Sequence, residues 1–310
     1  MIDLGLLLAT IVLVALVLFC GTALLVLAVP LVLVGAIAVW IVEYRGFGNV
    51  RKRWGKLEFP LITLKHETTG RRVRLLGVIH FADASYWSTL QGVIDREGES
   101  VVLYERVLKP TQEEMDALTE KERAWYENVH LGHKTLRGQL QALLGLSFQG
   151  DGLTYPAHWI NTDMSGGAFV KAMVGLEERF PGNPFMAILD HEPEQAPFVR
   201  WMIQKIFSHI SLSELRNFGA KSAYRRERDA IILDYRNFLG VNGILAHGKE
   251  RDVVSIWGAA HLPGMLHLLK QLGFEEETRE WFGAWKPPAY SLLHAIRDMR
   301  RLRTEDSKAA

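Results

Sequence analysis

Hydrophobic and polar positions divide the chain into two unlike parts. From Leu4 to Val42 no side chain is charged, and nearly all are Leu, Val, Ala or Ile. A membrane-spanning helix needs about 20 apolar residues, so the run is long enough for two. One continuous helix of this length would reach roughly 60 Å, about twice the thickness of the hydrocarbon core. The pattern therefore predicts a transmembrane segment over residues 1–46, preferably a helical hairpin turning near Cys20-Gly21-Thr22. Pro30 would then kink the second span, which bilayer helices tolerate. A single long helix is the alternative.

After residue 46 the pattern changes to short periods. Phe59 to His66 and Arg72 to Ile79 are β-rich runs on either side of Glu67-Thr68-Thr69-Gly70, which predicts a β-hairpin. A helix follows to about Glu97, capped by Asp83 or Ser85, and then a short buried strand, Ser100 to Tyr104. Strand, helix and strand at this spacing form a βαβ unit and imply parallel pairing. Helical patterns run from Thr111 to about Leu146, Ser165 to Arg179, Pro197 to His209 and Ser222 to Phe238. Asp252 to Trp257 reads as a second buried strand that leads into a helix from Pro263. The domain expected over residues 47–286 is thus α/β with a mixed sheet. Pro287-Pro288 opens a basic tail over residues 287–310.

Charge adds orientation. Arg45, Arg51, Lys52, Arg53 and Lys56 directly follow the apolar run and, by the positive-inside rule, place the domain in the cytoplasm. From residue 44 onward the chain holds all 36 Lys and Arg and all but two of the 35 Asp and Glu, a formal charge near +3. So small a bias argues against a nucleic-acid surface. Arg297, Arg300, Arg301 and Arg303 suit anionic headgroups or a solvated helix end. Cys20 is the sole cysteine, so no intrachain disulfide forms.

Two of the predicted strands end alike. Gly77-Val78-Ile79-His80 closes the first and Gly258-Ala259-Ala260-His261 the second, each leading into a helix. The carboxyl edge of parallel strands is where α/β folds place ligands. A glycine three residues before the His leaves room for a close backbone or ligand approach. The repeat suggests two pseudo-symmetric halves. Glu105 ends the strand Ser100 to Tyr104, expected beside the first, and would lie near His80. Two imidazoles and a carboxylate are a three-ligand set that leaves positions open on a metal ion. Asp190-His191-Glu192 and His130/His133 suit solvated positions better. No Gly-x-Ser-x-Gly elbow, His-Glu-x-x-His helix, phosphate loop or dinucleotide fingerprint occurs.

These residues resemble the TraB/Tiki (TraB/PrgY/GumN) family, within the erythromycin-esterase-like, ChaN-like and Tiki superfamily of folds. The family pattern pairs two Gly-x-x-His motifs with an acidic residue after the first and an Arg on a helix before the second. Gly77/His80, Glu105, Arg228 and Gly258/His261 match it over roughly Arg72 to Leu272, and His261-Leu262-Pro263-Gly264 is similar to its ending. Gln149, Tyr155 and Asp163 look like its middle block, with His158 and Asp83 as further pocket candidates. The resemblance departs at Asp229, where the pattern has Asn, and in the amino-terminal position of the membrane segment.

The resemblance implies a membrane-anchored, metal-dependent peptidase with manganese, cobalt or zinc held by His80, Glu105 and His261. Arg228 would then stabilise an oxyanion or bind a substrate carboxylate. Peptides or membrane proteins at the bilayer are the implied substrates. A haem- or peptide-binding protein of the same fold and a metal-independent esterase are the rival expectations. The oligomeric state is not legible in the sequence.

Overall fold

The structure is a computed structural model that describes residues 49–53, 55–181, 222–249 and 251–286. The transmembrane segment, the helix expected at Pro197 to His209, Asp190-His191-Glu192 and the basic tail lie outside the described residues. Among those described, no helix is long and apolar enough to cross a membrane.

A mixed α/β domain forms around one seven-stranded sheet. Strands β1 (Arg51–Arg53), β2 (Lys56–His66) and β3 (Arg72–Val78) are followed by the short β4 (Phe81–Ala82) and helix α1 (Ala84–Asp95). Next come β5 (Val101–Tyr104), the helices α2 (Gln112–Asp116) and α3 (Glu120–Leu144), β6 (Ser147–Phe148), α4 (Gln149–Gly152) and β7 (Ile160–Asn161). Helix α5 covers Gly166–Arg179. A continuous helical run then comprises α6 (Ala223–Asp229), a π-helical segment (Ala230–Tyr235) and α7 (Arg236–His247). Strand β8 (Val253–Gly258), helix α8 (Leu262–Gln271) and strand β9 (Phe274–Trp285) complete the domain.

The expected hairpin forms as β2 and β3, paired antiparallel from Leu61↔Leu76 to Lys65↔Arg72. Gly70 supplies the left-handed conformation that its turn needs, at φ +68°. The long polar helical stretch breaks into α2 and α3 because Thr111/Glu114 and Thr119/Glu122 are both capping boxes. His130 on α3 is exposed, as a solvated face requires. The last helical pattern continues beyond the expected Phe238 as far as His247.

Four strands run parallel in the order β3-β8-β5-β7. Parallel pairing follows the sequence expectation, but β5 is not beside β3: β8 stands between them, in register from Val73↔Val253 to Val78↔Gly258. The central strands are buried on both faces, as parallel strands covered by helices are. Leu76, Val78, Val254 and Ile256 pack with Trp87, Leu90 and Ile94 of α1, whereas Val73, Leu75, Val253 and Trp257 pack with Val241, Met265 and Leu269 of α7 and α8.

Strand β9 has no counterpart among the sequence expectations. Its middle is Glu275-Glu276-Glu277-Thr278-Arg279-Glu280, mostly exposed, yet its backbone pairs with nearly the whole of β2. Charged side chains are how a strand bonded along one edge avoids wrong partners. Its two ends, Phe274 and Trp285, anchor it in the core at 2% and 1% exposure. Trp285→Ala is expected to destabilise the domain by about 3–5 kcal/mol in urea titrations. A loss below about 1 kcal/mol would show that β9 is not part of the folded core.

Candidate active site at the carboxyl edge of the parallel strands

Each of the four parallel strands leads into a polar residue of one neighbourhood. His80 follows β3, His261 follows β8 through the Gly258-to-His261 turn, Glu105 follows β5, and Asp163 lies two residues beyond β7. Backbone bonds hold these ends together. Ala259 N–H donates to the Val78 carbonyl, Glu105 N–H to that of Ile256, and Thr162 N–H to that of Tyr104.

Glu105 is the hub. Its Oε1 accepts from Arg236 Nη2 at 2.6 Å and stands 3.4 Å from His261 Nε2, while Oε2 accepts the Gly258 backbone N–H. A Cβ on residue 258 would lie 3.1 Å from Oε2, so Gly258 is what lets the carboxylate approach. Gly77 has another purpose: a Cβ there would meet Leu262 at 2.8 Å and Pro60 at 3.3 Å, so it serves packing and not a ligand. Burial opposes the charge on Glu105, but His261, Arg236 and, less strongly, His80 outweigh it and hold the carboxyl well below the usual carboxylate range.

Arg236 holds a second carboxylate. Its Nε and Nη2 reach Asp163 at 2.8 and 2.7 Å, and Nη1 donates to the Ile232 carbonyl at 3.2 Å. Asp163 is closed off from solvent and is fixed further by the Met164 N–H at 2.7 Å. Burial works against the guanidinium charge, and Asp163 and Glu105 more than restore it, raising its pKa above the ordinary value. The wide turn at Ala230–Tyr235 ends where Arg236 begins, a placement that π-helical turns often have at functional sites.

The two imidazoles are treated alike. His261, 3% exposed, has Nδ1 at 2.7 Å from Asn237 Oδ1. His80, exposed at the rim, has Nδ1 at 3.2 Å from Gln149 Oε1. An amide oxygen only accepts, so each Nδ1 carries a proton, and a ring without a second proton keeps its lone pair on Nε2. Gln149 is itself held by donating to Tyr155 Oη at 3.1 Å, and its backbone N–H donates to the His80 carbonyl at 2.8 Å. Gly264 makes the Asn237 contact possible, since a Cβ there would lie 2.1 Å from Asn237 Nδ2.

His80, Glu105, Gln149, Tyr155, Asp163, Gly258 and His261 thus share one connected region. His158 is exposed in the loop before Trp159. Asp83 stands at the amino end of α1 without a side-chain cap bond, and burial, partly offset by Lys56, pushes its carboxyl up.

Arg228 is the main correction. It pairs with its neighbour Asp229 at 3.0 Å, and the arginine on Glu105 and Asp163 is Arg236, eight residues further on. Its signal was in the sequence: the family pattern has Arg followed by Asn, and Arg236-Asn237 supplies both where Arg228-Asp229 does not.

Donor chemistry decides whether a divalent ion suits the site. Two carboxylates face one guanidinium, which leaves a surplus negative charge that an imidazolium or a cation would offset. Ligands about 2.1 Å from one ion stand roughly 3.0–3.4 Å apart, which matches the Glu105–His261 separation of 3.4 Å. Histidine ligands generally donate their other N–H to an oxygen, as both rings do here. Glu105 and His261 therefore fit. Among the described residues no three His, Cys, Asp or Glu side chains gather closely enough to hold an ion, so His80 is not drawn in as the expected third ligand.

No family model matches the chain, and no curated protein matches it. The class of the protein therefore rests on fold and site alone: an α/β domain with a buried, charged centre at the carboxyl edge of its parallel strands.

Removing Arg236 would leave two carboxylates without their cation. Arg236→Ala is expected to cost about 3–5 kcal/mol in chemical denaturation, and Arg236→Lys to recover only part, because one ammonium cannot form the fork. A loss within about 1 kcal/mol for Arg236→Ala would contradict the ion-pair assignment.

Proposed function

We propose that the chain is a membrane-anchored hydrolase of the TraB/Tiki type, cutting peptide bonds with a divalent ion held by Glu105 and His261; His80, at the rim of the same region, would have to move inward to become the third ligand. The observation that carries this reading is the matched setting of the two imidazoles. Asn237 and Gln149 each accept an Nδ1–H and so orient a ring with Nε2 as the nitrogen left for an ion or a proton, and at His261 that nitrogen stands 3.4 Å from an ionised, buried glutamate.

Glu105 and His261 would hold the ion, which would supply Lewis acidity toward water and toward a carbonyl oxygen. The protein's own groups do the rest. Glu105 stays ionised against Gly258 N–H and Arg236, and His261 is oriented by Asn237. Arg236 spends its donors on Asp163, Glu105 and Ile232, so it acts by positioning these groups and not by touching substrate.

Other features support the same family. Arg236-Asn237 repairs the one mismatch in the motif, and Gln149, Tyr155 and Asp163 of the middle block all take part in the cluster. The two Gly-x-x-His strands stand side by side, in keeping with two related halves. The apolar amino-terminal run and the basic residues after it support a domain tethered at the cytoplasmic face, with membrane proteins or membrane-delivered peptides as substrates.

Elemental analysis of the detergent-purified chain tests the reading. About one manganese, cobalt or zinc per chain is expected, reduced together with peptidase activity in His80→Ala and His261→Ala. Asn237→Ala, which touches only the orientation of His261, is expected to weaken metal affinity roughly 10–100-fold. Full metal and full activity in both histidine variants would overturn the assignment.

A further inference from the structure

We infer that Arg106 is the anchor for a carboxylate on the substrate, so that the peptides cut at this site are acidic next to the scissile bond; the inference rests on the hydrolase reading above. Arg106 directly follows Glu105 at the end of β5 and is exposed. Among the described residues it has no carboxylate partner. Two other arginines of the region are engaged, Arg236 by Asp163 and Glu105 and Arg228 by Asp229.

Arg106 is nonetheless held in place. Its carbonyl accepts from Asn161 Nδ2 at 2.8 Å, and its guanidinium lies 5.8 Å from the centroid of the Tyr155 ring. Tyr155 belongs to an aromatic platform, 5.0 Å from Tyr104 and 5.6 Å from Trp159 between ring centroids. The same Tyr155 hydroxyl accepts from Gln149, the partner of His80. A guanidinium lying on an aromatic ring keeps its edge donors available for a planar, two-pronged grip on a carboxylate. A positioned cation without a carboxylate partner, one residue from Glu105 and two side chains, Tyr155 and Gln149, from His80, is an arrangement that selects an anionic substrate.

The test uses the full chain in detergent and three synthetic hexapeptide pools that are otherwise identical. One fixes Glu at a central position with an amidated end, one fixes Gln there with an amidated end, and one fixes Gln with a free terminal carboxylate. Cleavage is followed by mass spectrometry and binding by calorimetry, with wild type, Arg106→Gln and Arg106→Lys. The expected result is a preference of roughly ten- to a hundredfold for a carboxylate-bearing pool over the neutral one, lost in Arg106→Gln and partly kept in Arg106→Lys. Which carboxylate pool is favoured tells a side-chain anchor from a terminal one. Charge-selective binding that depends on Arg106 but without cleavage upholds the anchor and sinks the hydrolase. Cleavage of all pools alike, or a preference unchanged in Arg106→Gln, overturns the anchor and leaves the hydrolase standing. No cutting and no binding of any pool also overturns it.

Discussion

Arg236 lies between Glu105 and Asp163, and the carboxyl edge of the sheet is organised around that contact. Two carboxylates in a region largely closed to water repel each other and each loses hydration, so they persist side by side only with a shared cation and further hydrogen bonds. The guanidinium fork supplies the first, and the backbone N–H groups of Gly258 and Met164 supply the second. Because Glu105 ends β5 and Asp163 follows β7, the pair also pins two strand ends to the helix that carries Arg236.

The next residue on that helix extends the same logic. Asn237 points its amide oxygen at His261, so one stretch of backbone fixes the charge of the glutamate and the tautomer of the histidine together. Small residues make the close packing feasible. Gly240 lets α7 lie against Trp257, where a Cβ would come within 2.5 Å of the ring, and Gly264 of α8 leaves room for Asn237 of α7. Three consecutive elements, α7, β8 and α8, thus meet at two glycines, which links the packing of the core to the geometry of the site.

Much of the fold was legible in the pattern of the chain. The hairpin, α1, β5 and β8 are apolar runs with clear turn or cap residues, and both Gly-x-x-His endings fall at strand ends as their spacing suggested. What was not legible has physical causes. Strand β9 is held by backbone pairing to β2 while its middle presents glutamates to solvent, so hydrophobic alternation gives no sign of it. The insertion of β8 between β3 and β5 is a long-range pairing with no local signature. Arg228 and Arg236 lie on the same helical run, and in the sequence only the asparagine beside Arg236 tells them apart.

The matched setting of the two histidines is the feature on which the functional reading turns, and nitrogen-15 NMR of the imidazole rings measures it directly. Long-range proton–nitrogen correlations of the metal-free chain, with His80 and His261 assigned by substitution, separate the two tautomers of each neutral ring. The expected result is a proton on Nδ1 at both residues, with Nδ1 losing it to Nε2, wholly or in part, at His261 in Asn237→Ala. A bare Nδ1 with the proton on Nε2 alone at both His80 and His261 in the unaltered chain would contradict the assignment, since neither Nδ1 could then donate to its amide oxygen.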